Sequence, residues 1–153
     1  MFDPSVDDRP TVSSIVIPII QRDYAQGRSD QQRVRDEFLD VLIGSLVTER
    51  RAGLDFVYGE VDSIGTLRPL DGQQRLTTLF LLHWYCASRA DALDLDEPWT
   101  QFAYATRPSA EFFCEELVKH RLSPDASRPS EWITDQAWYL YPWRHDPTIS
   151  AML

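Results

Sequence analysis

From Gln73 to about Arg89 the chain reads as a helix whose later turns are apolar on nearly every side, through Leu79, Phe80, Leu81, Leu82, Trp84 and Tyr85. A helix without a polar face has to be covered all round by other elements, so it is expected at the centre of the fold. Directly upstream, Ile64 to Leu70 has the β-branched character of a strand, and Asp71 ends it. A central helix entered straight from a strand calls for a sheet.

The strands to build it are at hand. Ser14 to Ile20 is rich in β-branched residues, with Pro18 marking an edge position or a strand end. Leu54 to Tyr58 pairs most simply with Ile64 to Leu70 as a hairpin around Gly59 to Ser63, added to the first strand. Between them, Gln31 to about Arg51 carries Val34, Phe38, Val41, Leu42 and Leu46 at helical spacing, widened by Leu39, Ile43 and Val47. Asp30 is placed to cap that helix, and Arg50 and Arg51 ahead of Gly53 suit its end.

After Ala92 the pattern weakens to one amphipathic helix around Ser109 to Arg121 and a loop from Ser123 to Pro129. Asp146-Pro147 resembles an N-cap followed by Pro at N1, so Thr148 to Leu153 should begin a helix. Fewer than two turns do not stand unaided, so the natural chain is expected to continue past Leu153. The expected class is therefore α/β, a small mixed sheet packed by helices and followed by a mostly helical segment. Residues 1–13 are expected to be a flexible polar tail, 14–92 a core, and 93–153 a helical extension incomplete at its C-terminus.

Fifteen basic against twenty-four acidic residues among 153 give a net charge of −9, a field that repels polyanions unless positive charge is gathered locally. DNA binding is therefore expected only in the full-length protein. Lys119 is the only lysine, so a phosphate site has to use arginine, the side chain suited to bidentate contact. Cys86 and Cys114 form no CxxC pair, and His83, His120 and His145 have no metal-ligand spacing, so they read as structural or surface residues. No apolar run approaches the roughly 18 residues of a membrane span, and no signal peptide is evident; a cytoplasmic protein is expected. A Walker-type site is absent, and so is an HNH nuclease constellation. Trp132, Trp138 and Trp143 read as core or as surfaces for a further part of the protein rather than as base-stacking platforms.

Chemistry centres on Asp71-Gly72-Gln73-Gln74-Arg75, which sets a carboxylate, a glycine, two amides and a guanidinium on the first turn of the buried helix. Unpaired backbone N–H groups and the positive dipole end favour an anion there, and Gly72 lets it approach. The plainer alternative is a capping box, with Asp71 as N-cap and Gln74 its partner. Arg75 argues for a bound negative charge, because a cation in the first turn opposes the dipole by up to about 1 kcal/mol. That charge is either an internal carboxylate or a ligand phosphate. A second polar cluster, Gln21-Arg22-Asp23-Tyr24, leaves the first strand and converges on the same pocket if the sheet is built as above; otherwise it is a solvated loop.

These residues, in order, are a resemblance. Ile17-Pro18-Ile19-Ile20-Gln21-Arg22-Asp23-Tyr24, Phe38-Leu39, Tyr58-Gly59 and Asp71 to Leu79 resemble the N-terminal domain of GmrSD-type restriction endonucleases, a DGQQR-motif family once classed as a domain of unknown function and related in fold to ParB and sulfiredoxin. Trp143 to Ile149 looks like the family's downstream helical part, while Gln26 departs from a Trp found in many relatives. The resemblance implies a nucleotide-binding, NTP-hydrolysing regulatory domain that controls an HNH-type nuclease part acting on foreign or modified DNA in antiphage defence. It assigns Asp71, Gln73, Gln74 and Arg75 to catalysis, and Gln21, Arg22, Tyr24, Gly72 and Thr77 to nucleotide binding. Asp71 would hold Mg²⁺ or orient water. Two other readings stay open: a nucleotide switch without turnover, and a module that binds a partner or modified DNA.

Overall fold

The computed structural model describes residues 11–48 and 57–153. Most of the expected polar tail, and the expected helix end at Arg50, Arg51 and Gly53 with the strand start at Leu54, lie outside the described residues. Among the described residues the sheet has four strands, β1 (Ser14–Ile17), β2 (Tyr58–Val61), β3 (Thr66–Asp71) and β4 (Phe102–Tyr104), in the order β2-β3-β1-β4. β2 and β3 form an antiparallel hairpin as expected, but Gly59 to Val61, read as part of its turn, belong to β2 and pair with Pro69 to Leu67, so the turn is shorter, Asp62 to Gly65. β1 runs parallel to β3, with Ile15 opposite Leu67, and parallel to β4, with Ile17 opposite Tyr104. The mixed sheet and its helices make this an α/β fold.

Pro18 marks a strand end and not an edge. β1 stops at Ile17 and lies inside the sheet, where a residue without an N–H has no place in the ladder. β4 was not expected within a segment read as helical. Three residues give no usable alternation, although Phe102 and Tyr104 are buried on either side of the less buried Ala103.

Among the described residues five α-helices complete the fold: α1 (Gln32–Thr48), α2 (Gln73–Arg89), α3 (Pro108–Lys119), α4 (Pro129–Thr134) and α5 (Pro147–Met152). Asp146 caps α5 as read from the sequence, its Oδ1 accepting from the N–H groups of Thr148 at 2.8 Å and Ile149 at 3.1 Å. Asp30 falls instead inside a short 3-10 turn, Ser29–Gln31, that leads into α1. The core joins both halves of the chain. Phe80 of α2 stacks on Phe102 of β4 with ring centroids 4.4 Å apart, and Trp143 packs edge-on against Phe113 of α3. Trp143 is buried in that core and Trp132 and Trp138 pack against it. No described helix is long and apolar enough to cross a membrane.

Two helices differ from their sequence patterns. The first half of α2 buries Gln73, Gln74, Thr77 and Thr78, and its apolar cover comes later from Phe80 and Trp84. Leu79, Leu81 and Leu82 are only half-buried, so the helix is not enclosed on every side. α1 forms where its period predicts, yet none of its residues is buried, and Leu46 and Val47 are each 78% exposed.

Candidate functional site

β3 delivers Asp71 to the edge of a cavity, and Gly72 turns the chain into α2. Gly72 takes φ +89° as the residue preceding the helix, a left-handed conformation that disfavours a Cβ, and a Cβ there would meet Val57 at 3.0 Å. The glycine is thus required by the turn itself. Among the described residues no side chain caps the helix: Asp71 is still strand, its side chain 77% exposed, and Gln74 reaches elsewhere. The capping-box alternative is therefore set aside.

Gln74 holds the loop that follows β1. Its Oε1 accepts from the Ala25 N–H at 2.8 Å and the Gln26 N–H at 3.3 Å, and its Nε2 donates to the Asp23 carbonyl at 3.0 Å. One turn further on, Thr78 Oγ1 donates to Gln26 Oε1 at 2.6 Å and lies 3.0 Å from the Tyr24 hydroxyl. Thr78 gives its one proton to Gln26, so the Tyr24 hydroxyl is the donor toward Thr78, and burial, which raises the Tyr24 pKa, keeps the phenol protonated. These polar groups are buried but satisfied by one another, which fixes the loop on α2.

The far side of the same loop is tied to the C-terminal half. Asp23 receives two bonds from Arg107, from Nε at 3.0 Å and Nη2 at 3.1 Å, and one from Thr148 Oγ1 at 3.2 Å. The Arg107 hydrogen bond is the main reason its carboxyl is held below the usual aspartate value. The Tyr104 hydroxyl donates to the Arg22 carbonyl at 2.7 Å. Backbone held on both sides presents the Arg22 side chain to the cavity.

That cavity, of about 530 Å³, opens between the first turn of α2, the loop and one face of α1. Arg22 and Arg75 both line it, together with Asp71, Gly72, Gln73 and Gln74. Arg75 Nη2 lies 3.8 Å from Asp71 Oδ2, a loose pair with an exposed carboxylate. Gln73 is 5% exposed, and no described residue hydrogen-bonds its amide. The first intrahelical bond runs from the Leu76 N–H to the Gly72 carbonyl, so the N–H groups of Gln73 and Gln74 have no acceptor within the helix.

Of the residues expected to form the site, six meet at the cavity and three stand apart. Gln21 donates to the carbonyls of Pro69 at 3.3 Å and Leu70 at 3.2 Å, bracing the loop against β3. Tyr24 is buried on Thr78, and Thr77 is fully buried with its hydroxyl on the Gln73 carbonyl at 2.7 Å. Sequence reasoning missed the opposite wall, where Val34, Glu37, Phe38 and Val41 of α1 face Arg22 and the α2 turn. The available signal was an acid inside an apolar stripe: Glu37 lies three residues after Val34 and four before Val41, on the same face.

Among the described residues no group of three or more His, Cys, Asp or Glu is arranged to hold a metal ion. Comparison with curated proteins and with solved structures gives no match. Over residues 6–140, the sequence matches the family model described as the GmrSD restriction endonuclease, N-terminal domain. With that much of its length matched, the chain belongs to the N-terminal domain family of the GmrSD restriction endonucleases, and its role lies in restriction.

Proposed function

We propose that the domain binds a nucleoside triphosphate at the α2 turn, hydrolyses it, and through that cycle controls the nuclease part of a restriction enzyme. The observation that carries this reading is the meeting of Arg22 and Arg75 in one cavity at the N-terminal end of α2. Two guanidinium groups and the helix end together favour the charge of a phosphate chain. Both would also stabilise the charge that develops on the transferred phosphoryl group.

The other residues then divide by what holds them. Gln73, whose amide is not engaged by described residues, orients a phosphate oxygen or the attacking water. Gln74 is committed to the loop, and so acts by positioning Arg22. Mg²⁺ fits the donors present, because it takes one or two carboxylates and completes its shell with phosphate and water; Asp71, exposed at the cavity, supplies a carboxylate. When bound, the ion would neutralise charge across the phosphates.

The engagement of Gln74 also favours a second reading, a switch in which nucleotide binds without turnover. Phosphate release from ATP, GTP, CTP and UTP with Mg²⁺ separates the two. Turnover that falls at least about tenfold in both Arg22→Ala and Arg75→Ala is the expected result. Turnover indifferent to both substitutions removes the hydrolytic reading, and binding without release leaves the switch.

A further inference from the structure

The cavity has two unlike walls. On one side stand Arg22, Arg75 and the α2 turn; on the other, Val34, Phe38 and Val41 repeat at i, i+4 and i+7 along α1. Val34 is 44% exposed and Val41 47%, although their spacing is that of a core stripe. Inorganic phosphate would leave the apolar wall wet, and an apolar ligand would strip water from the guanidinium groups without replacing it. An anion with a flat aromatic end satisfies both.

We propose that the α1 face made by Val34, Phe38 and Val41 is the seat of the nucleobase, an inference that rests on the nucleotide reading above. Glu37, on the same face and 66% exposed at its side chain, sets the orientation. The guanidinium groups of Arg22 and Arg75 draw the phosphates to the α2 end, away from the Glu37 carboxylate, which is loosely paired with Arg33 at 3.8 Å. That carboxylate also offers acceptors to the amino and imino N–H groups on a base edge. The seat accounts for the exposure of Val34 and Val41 at the cavity end of the helix: their partner is the ligand.

The test compares ligands with and without a base. Calorimetry on this chain would use the β,γ-imido analogues of ATP and GTP beside inorganic triphosphate, on wild type, Phe38→Ala, Phe38→Leu and Arg75→Ala. Base stacking predicts that at least one nucleotide analogue binds about tenfold or more tighter than inorganic triphosphate, and that Phe38→Ala removes most of that advantage. The affinity for inorganic triphosphate should change less than about twofold in the same variant, and Phe38→Leu should fall between. Because Phe38 is on a helix that buries none of its residues, melting curves should confirm that both variants fold. Nucleotide and inorganic triphosphate binding alike in the wild type, or nucleotide affinity untouched by Phe38→Ala, overturns the base seat while leaving the phosphate site intact. If nothing binds, or Arg75→Ala changes nothing, the nucleotide reading falls and the seat falls with it.

Discussion

At the scale of single residues, the two adjacent glutamines of the motif have opposite duties. Removing the Gln74 amide leaves the N–H groups of Ala25 and Gln26 and the carbonyl of Asp23 without their partner. Gln74→Ala is therefore expected to cost about 2–3 kcal/mol, a fall in Tm of roughly 5–10 °C for a chain of this size. Gln73→Ala loses no described hydrogen bond of its side chain, so its Tm should move little while triphosphate affinity drops. Thermal melts alongside binding check both, and a Gln73→Ala protein as unstable as Gln74→Ala contradicts the division. The sequence displayed the motif but could not divide these labours, because Gln74 meets a loop some fifty residues upstream. It likewise suggested a cap at Asp71, which the left-handed turn at Gly72 leaves one residue ahead of the N-cap position.

Elements reveal why some patterns mislead. The α1 period placed the helix correctly, but a period reports that one face is apolar and not what covers it. β4 escaped notice because a three-residue strand is too short to alternate visibly, and its pairing with β1 is set by tertiary contact. Gln21 to Tyr24 read as a polar loop, yet Gln21, Asp23 and Tyr24 are bonded rather than solvated, and one of those bonds predicts a response to acid. Arg107 lowers the Asp23 pKa in the folded protein, so the carboxylate contributes stability above the ordinary aspartate value near 3.9, and that contribution is lost as pH falls through the lower folded value. With Asp23 29% and Arg107 45% exposed at their side chains, solvent screening limits the pair to about 1 kcal/mol or less. Tm measured from pH 6 down to about pH 2.5 should fall less steeply in Asp23→Asn than in wild type. Parallel profiles would show that this carboxylate does not hold the loop.

Over the whole molecule, the cavity and the C-terminal helices are coupled through one short stretch of backbone. Gly27 follows the Ala25-Gln26 segment that Gln74 clamps, and it lies against α5 so closely that a Cβ would overlap the Ala151 carbonyl. Arg35 of α1 donates to the Gly27 carbonyl at 3.2 Å, which ties the cavity's other wall to the same point. Backbone meeting backbone leaves no flexible side chain to yield, so Gly27→Ala must push α5 away or shift the loop that carries Arg22. Either movement is expected to destabilise the fold by about 2–4 kcal/mol, in the range of overpacking and strain at special sites. If the coupling is real, the surviving folded fraction should also bind triphosphate more weakly, although Gly27 is not among the residues lining the cavity. Ser150→Ala, on the exposed side of α5, provides the control that perturbs the helix without touching the contact. Equal affinity in Gly27→Ala and wild type, measured where both are folded, would mean that the C-terminal helices support the core alone and carry no influence on the site.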